Sequence, residues 1–254
     1  MELTGERRRV LPFMAGLILF VAVFTAAAYL VSVVMTNYFS ELTEGERMIP
    51  VSGESLPVIV IDPGHGGEDG GSTSGEVTEK ELNLAVGECI YRLAVLTGHP
   101  AKLTRRSDVA LYDLYGDLAD YAGKKKAYDL RNRVRFASDQ GGVYLGIHMN
   151  KFPDPSVSGL QVWYSLNDPR SAEFAKEIQD AAIAHLSEDC RRETKRADSS
   201  IFVLDRLEIP AVLTECGFIS NPEELSRLTD PAYRRLLSCV VFSAAARFVS
   251  GGAS

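Results

Sequence analysis

Hydrophobic positions along the chain follow two regimes. Across residues 10–35 they run almost without interruption and without a charge, whereas beyond residue 56 they recur as short β-branched runs and helical stripes between polar stretches. About 26 such residues at 1.5 Å rise are enough to cross a hydrocarbon core, so 10–35 is expected to be a transmembrane segment. Arg7, Arg8 and Arg9 precede it, and Glu41, Glu44 and Glu46 follow. The positive-inside bias then leaves residues 1–9 in the cytoplasm and exports everything after the segment. A cleavable signal peptide is the competing reading, because Ala26-Ala27-Ala28 offers small residues behind an apolar stretch. The apolar run continues through 29–35, which suits a retained anchor better. Residues 36–56, with Ser52-Gly53-Glu54-Ser55, read as a linker.

Within residues 57–250 the pattern alternates. Val58-Ile59-Val60-Ile61, ended by Asp62-Pro63-Gly64, predicts a buried strand running into a turn. After a glycine-rich loop, Leu82, Ala85, Val86, Cys89, Leu93 and Leu96 recur at helical spacing, with Gly98 at the expected stop. Further strands are expected at 101–104, 143–147, 159–165, 201–204 and 211–214, and helices at 128–139, 170–187, 221–228 and 231–249. Such alternation predicts an α/β domain with helices on both faces of a largely parallel sheet.

Composition narrows the function classes. The 254 residues carry 24% charged and 46% hydrophobic side chains, a globular balance, and a net charge of -7. That charge argues against a general nucleic-acid binder, which needs a basic surplus to neutralise phosphates. The four cysteines, Cys89, Cys190, Cys216 and Cys239, form no C-x-x-C pair, so neither a zinc ribbon nor a thioredoxin-like motif is supported. Cys89 and Cys239 fall on apolar stripes of expected helices, where a free cysteine packs as a small hydrophobe.

Four polar residues stand at the C-terminal ends of expected inner strands or at a helix start: His65, Glu79, His148 and Glu215. In open α/β sheets that edge binds ligands. Two histidines and a carboxylate suit zinc, and three protein ligands leave a fourth position for water. Thr78-Glu79-Lys80-Glu81 has the T-x-x-E form of a capping box, which occupies Glu81 at the helix start and leaves Glu79 projecting towards the glycine-rich loop. Glu79 is therefore the expected third ligand. Glu215 follows Val212-Leu213-Thr214, a buried strand whose end carries a charge that is costly without a partner, and a general base beside a metal-bound water fits it. Taken singly each residue also has a structural explanation. Asp62 is expected to brace the loop, Glu68 and Asp69 to be solvated loop charges, and His99 and His185 to face solvent. Trp163 and Tyr164 suit core packing and a sugar-stacking platform equally well.

Together these settings resemble the zinc-dependent N-acetylmuramoyl-L-alanine amidase family. The likeness rests on Val58-Ile59-Val60-Ile61-Asp62-Pro63-Gly64-His65-Gly66-Gly67, on Glu79-Lys80-Glu81-Leu82-Asn83-Leu84, on Leu145-Gly146-Ile147-His148-Met149-Asn150, and on the stretch 210–221 around Glu215. It implies zinc held by His65, Glu79 and His148, Glu215 as the catalytic glutamate, peptidoglycan as substrate, and a twisted, mostly parallel mixed sheet of about six strands. Thr104-Arg105 with Asp108, and Leu130-Arg131-Asn132-Arg133, look like two further landmarks. The stretch between them is longer than in most members. Residues 109–127, with Tyr112, Tyr115, Tyr121 and Lys124-Lys125-Lys126, resemble the insertion of the germination-specific amidases, which implies a role in spore-cortex maturation, muramic-δ-lactam formation and germination. The expected organisation is a cytoplasmic N-terminus (1–9), a membrane anchor (10–35), a linker (36–56) and an extracytoplasmic catalytic domain (57–250), with room for an activating partner protein. A wall-binding protein that kept the fold without catalysis, and a zinc amidohydrolase for another exported amide, are the competing functions. Cys216 is not expected to be a nucleophile, since no cation or base is evident to populate its thiolate and it points away from Glu215. At least one of Lys195 and Arg196 is expected to face the groove and hold substrate carboxylates.

Overall fold

The β-branched run that opens the domain becomes a strand buried along its whole length, so its backbone groups need partners on both sides. The computed structural model describes residues 56–114, 124–186 and 192–251, together with Thr25. In chain order its elements are β1 (Ile59–Pro63), β2 (Thr73–Ser74), β3 (Val77–Thr78), α1 (Glu79–Leu96), β4 (Ala101–Leu103), α2 (Leu111–Leu114), α3 (Lys125–Gln140), β5 (Val143–Asn150), β6 (Gln161–Tyr164), α4 (Arg170–His185), β7 (Lys195–Arg196), α5 (Phe202–Arg206), β8 (Ala211–Phe218), α6 (Pro222–Thr229) and α7 (Pro231–Val249). Six strands form one sheet in the order β4-β1-β5-β8-β6-β7. β4, β1, β5 and β8 are parallel, while β6 runs antiparallel to β8 and parallel to β7. This is the largely parallel sheet that the alternation predicts, and the mixed sheet of about six strands that the family resemblance implies.

Side chains on successive strand residues point to opposite faces, and here the two faces differ in kind. Ile59, Ile61, Leu145, Ile147, Val212 and Cys216 join the larger core with residues of α1, α4 and α7. Val60, Tyr144, Ala211 and Leu213 join a smaller core with Ala137 of α3 and Val203 and Leu204 of α5. Further along the same strands the second face turns polar, with Asp62, His148 and Glu215 on β1, β5 and β8. That polar end lines a cleft of about 450 Å³.

Several expectations need correction. Ile201-Phe202-Val203-Leu204 is not a strand but enters α5, where Val203, Leu204 and Leu207 are buried and Asp205 and Arg206 are exposed. Four apolar residues in a row carry no period, and only the buried face shows that the spacing is helical. α3 begins at Lys125, earlier than its apolar stripe, while β2, β3, α2 and β7 are too short to register as patterns. Cys239 is exposed, because α7 is apolar around most of its circumference and its phase is weakly marked. The expected membrane segment 10–35 apart from Thr25, residues 1–9, the expected linker 36–56 apart from Leu56, and Tyr115, Tyr121 and Cys190 lie outside the described residues. Among the described residues no helix is long and apolar enough to cross a membrane.

Candidate metal centre and catalytic cleft

The loop that carries His65 is bent into a conformation it would not hold alone. His65 has φ 63°, in the left-handed region that a non-glycine residue rarely adopts. Two buried arginines grip the surrounding carbonyls. Arg133 of α3 donates to Pro63 O at 3.1 Å and His65 O at 2.7 Å. Arg105 donates to Pro63 O at 2.9 Å, Gly64 O at 3.1 Å and Lys80 O at 2.7 Å. Asp62 braces them from below, ion-paired with Arg133 at 2.5 Å and accepting from the Thr104 and Tyr144 hydroxyls. Burial alone would raise the Asp62 carboxyl, but the Arg133 charge and the two hydroxyls hold it below its ordinary value. Burial, with Arg133 adding to it, pushes Arg105 down to about 10.

Glu79 is the first residue of α1, as the capping pattern predicts. The Glu81 carboxylate accepts from the Thr78 hydroxyl at 2.8 Å and the Thr78 N–H at 3.4 Å, which leaves Glu79 free to face the loop. Its Oε2 accepts from the Ser72 N–H at 2.8 Å and its Oε1 from the Met149 N–H at 3.1 Å. The same Oε1 lies 3.2 Å from His65 Nε2 and 3.0 Å from His148 Nδ1. Burial opposes ionisation of Glu79, yet the hydrogen bonds from His148 and His65 overcome it and hold the acid well below the usual carboxylate range. His148 stands on β5 just before a register shift against β8. A Cβ at Gly64 would lie 2.2 Å from its ring, and one at Gly71 would lie 2.6 Å from Glu79 Oε2, so glycine at both positions makes room for the three side chains.

Nitrogen or oxygen atoms of His65, Glu79 and His148 all lie within 4.8 Å of one another and could hold a metal ion. The donor set fits one: two imidazoles and an ionised carboxylate, converging where glycine leaves space. Glu215 is the strand-to-strand partner of His148 in the sheet. Its Oε2 is buried and meets no hydrogen-bond partner among the described residues. Burial pushes its acid up to about 7; the His148 and His65 imidazoles oppose the rise and Glu79 adds to it.

Trp163 lines the cleft on the β6 side, with the Lys195 ammonium 5.1 Å from its ring centre. Register pairs Trp163 with Lys195 and Tyr164 with Arg196, so Lys195 shares the cleft face and Arg196 lies on the other. Trp163 thus packs against the smaller core with one part of its ring and lines the cleft with another. β8 continues past Glu215 through Gly217 to Phe218. Cys216 is buried in the larger core on the opposite face, and burial drives its thiol far above the usual value. Asp69 is not a free loop charge but contacts His65. His99 is half-buried, its ring edge-on to Phe242, whereas His185 is exposed. The roles of Arg105 and Arg133 were not legible from local sequence, although both fall in landmark motifs.

A sequence model described as N-acetylmuramoyl-L-alanine amidase matches residues 59–245. The chain belongs to that family. The germination-specific N-acetylmuramoyl-L-alanine amidase of Bacillus subtilis (strain 168) is 32% identical over 201 residues, 79% of this chain and 81% of that protein. The CwlD amidase of Clostridioides difficile, solved in complex with the GerS lipoprotein, is similar at a TM-score of 0.70 and 30% identity, over 77% of this chain and 99% of that one. LytC of Bacillus subtilis, an N-acetylmuramoyl-L-alanine amidase, is 29% identical over 73% of this chain, which spans 33% of LytC. This amidase accordingly acts on peptidoglycan in the cell wall.

Proposed function

We propose that the amidase holds one zinc ion through His65, Glu79 and His148, and that Glu215 is its general base. The observation that carries this reading is the placement of Glu215 beside His148 on the neighbouring strand, with a buried oxygen that no group among the described residues satisfies. Zinc held by these three residues would supply Lewis acidity, lowering the pKa of a water and polarising the substrate carbonyl. The protein's own part is proton traffic and positioning. Glu215 takes a proton from the attacking water as its oxygen bonds to the lactyl carbonyl carbon. It then returns a proton to the L-alanine nitrogen as the carbon–nitrogen bond breaks, so the stem peptide leaves as an amine. Burial, which raises its pKa to about 7, suits it to both transfers near neutral pH. Trp163 offers a flat apolar face to the substrate, and Lys195 a cation for stem-peptide carboxylates.

The finer biology is read from likeness. The relative's germination-specific activity and the lysine-bearing segment 109–127 support a role in spore-cortex maturation, in which removal of the peptide from muramic acid precedes muramic-δ-lactam formation. The lipoprotein bound to the clostridial relative supports an activating partner here. Residues 10–35 anchor the chain, with the catalytic domain outside the membrane.

Purified muropeptides incubated with the full chain test the reading. The expected product is free stem peptide beginning with L-alanine, formed with zinc and abolished by a chelator. Equal release in excess chelator, or cleavage elsewhere in the muropeptide, would overturn it.

A further inference from the structure

The loop that bears His65 closes on itself. Gly66 and Asp69 exchange backbone hydrogen bonds, the Gly66 N–H to Asp69 O at 2.9 Å and the Asp69 N–H to Gly66 O at 3.2 Å, which holds the Asp69 side chain beside the imidazole. Asp69 Oδ2 lies 3.0 Å from His65 Nδ1, and Asp69 Oδ1 accepts from the Gly71 N–H at 3.1 Å. The His65 ring therefore lies between two carboxylates, with Nε2 towards Glu79 and Nδ1 towards Asp69. Nδ1 is buried and makes no well-aligned hydrogen bond among the described residues.

We propose that Asp69 is the positioning residue of His65. By accepting the Nδ1 proton it fixes the tautomer in which Nε2 presents its lone pair to the space shared with Glu79 and His148. Imidazoles that bind metal commonly donate their second nitrogen to a carboxylate in this way, and loss of that carboxylate weakens the metal. The inference rests on the reading of His65, Glu79 and His148 as metal ligands. Lys126 is the competing partner, with its ammonium 3.4 Å from the same Asp69 oxygen, but that lysine is largely exposed and solvent screens the pair. Lys125 instead pairs with Glu68, one position before Asp69. The alternative role for Asp69 is a loop brace acting only through the Gly71 N–H.

Zinc affinity of the full chain, measured by competition with a chromophoric chelator, separates these roles. Asp69→Ala is expected to weaken zinc by about 10–100-fold. Asp69→Asn keeps an acceptor for the Gly71 N–H but turns an amide N–H, which cannot accept a proton, towards Nδ1, so it is expected to weaken zinc at least as much as Asp69→Ala. Its thermal midpoint in excess chelator, recorded alongside, should match wild type. Wild-type zinc affinity in Asp69→Asn would overturn the proposal and leave a loop brace. His148→Ala serves as the control for the underlying reading: undiminished zinc binding there would remove the ligand assignment itself, whereas lost binding there with wild-type affinity in Asp69→Asn would sink this proposal alone.

Discussion

The helix start at Glu79 and the strand at Glu215 each place a carboxylate in the same cleft, yet their surroundings are opposite. Glu79 accepts from the Ser72 and Met149 N–H groups and, in the metal-free protein, from the two imidazoles, which together outweigh burial and keep it ionised. Glu215 has an oxygen with no partner among the described residues, and burial raises its acid to about 7. The comparison teaches that depth alone does not decide what a carboxylate can do. The number of donors aimed at it does, and it separates a group suited to hold a cation from one suited to move a proton.

The largest effect expected from that division is on turnover. Glu215→Gln keeps size and removes proton acceptance, so kcat should fall by about 10²–10⁴ on muropeptides. Near-normal turnover would take Glu215 out of the mechanism. The brace under the His65 loop comes next, since Arg133→Met leaves the Asp62 charge buried without its main partner. Breaking a buried pair in this way costs about 3–5 kcal/mol, readable by chemical denaturation. A loss of stability as small as that of an exposed ion pair, below about 1 kcal/mol, would show that the loop is held by other groups.

Acidity offers a smaller and more specific contrast in the metal-free protein. A raised folded-state pKa means that the folded form keeps its proton longer than the unfolded chain. Glu215 therefore contributes stability that is full below its unfolded value, 4.5, and is lost as pH rises through about 7. Between those values its slope approaches about 1.4 kcal/mol per pH unit. Glu79, whose pKa is lowered, does the reverse: its contribution is present above 4.5 and is lost as pH falls below that value. Thermal midpoints in chelator should thus decline from pH 5 to 8, and Glu215→Gln should shrink the decline. An undiminished slope would assign it to other groups, of which His65, raised from 6.5, acts in the same direction. The smallest effect concerns the cleft rim. Lys195→Ala should raise KM several-fold on peptide-bearing substrate, an exposed contact being worth up to about 1 kcal/mol. Arg196→Ala, on the opposite face, should leave it unchanged, and equal effects from both would contradict the register argument.

Much of this was legible because local rules acted alone. The capping box separated Glu79 from Glu81, and the β-branched run ending in Asp62-Pro63-Gly64 marked both β1 and its turn. What was hidden depended on distance. Arg133 meets Asp62 across 71 positions of sequence, and no pattern near either residue announces the pair. Asp69 looked solvated because glycines flank its loop, yet the closure of that loop turns it onto His65. The run 201–204 misled because a helix that buries one side of a single turn and a short buried strand share the same composition.

Zinc content of Glu79→Gln and Glu215→Gln, measured by elemental analysis of the purified full chain after dialysis against limiting zinc, tests the division between the two carboxylates most directly. The account predicts near-stoichiometric zinc in Glu215→Gln and little in Glu79→Gln, where one of three ligands has lost its charge. Zinc lost from Glu215→Gln, or retained in full by Glu79→Gln, would contradict it.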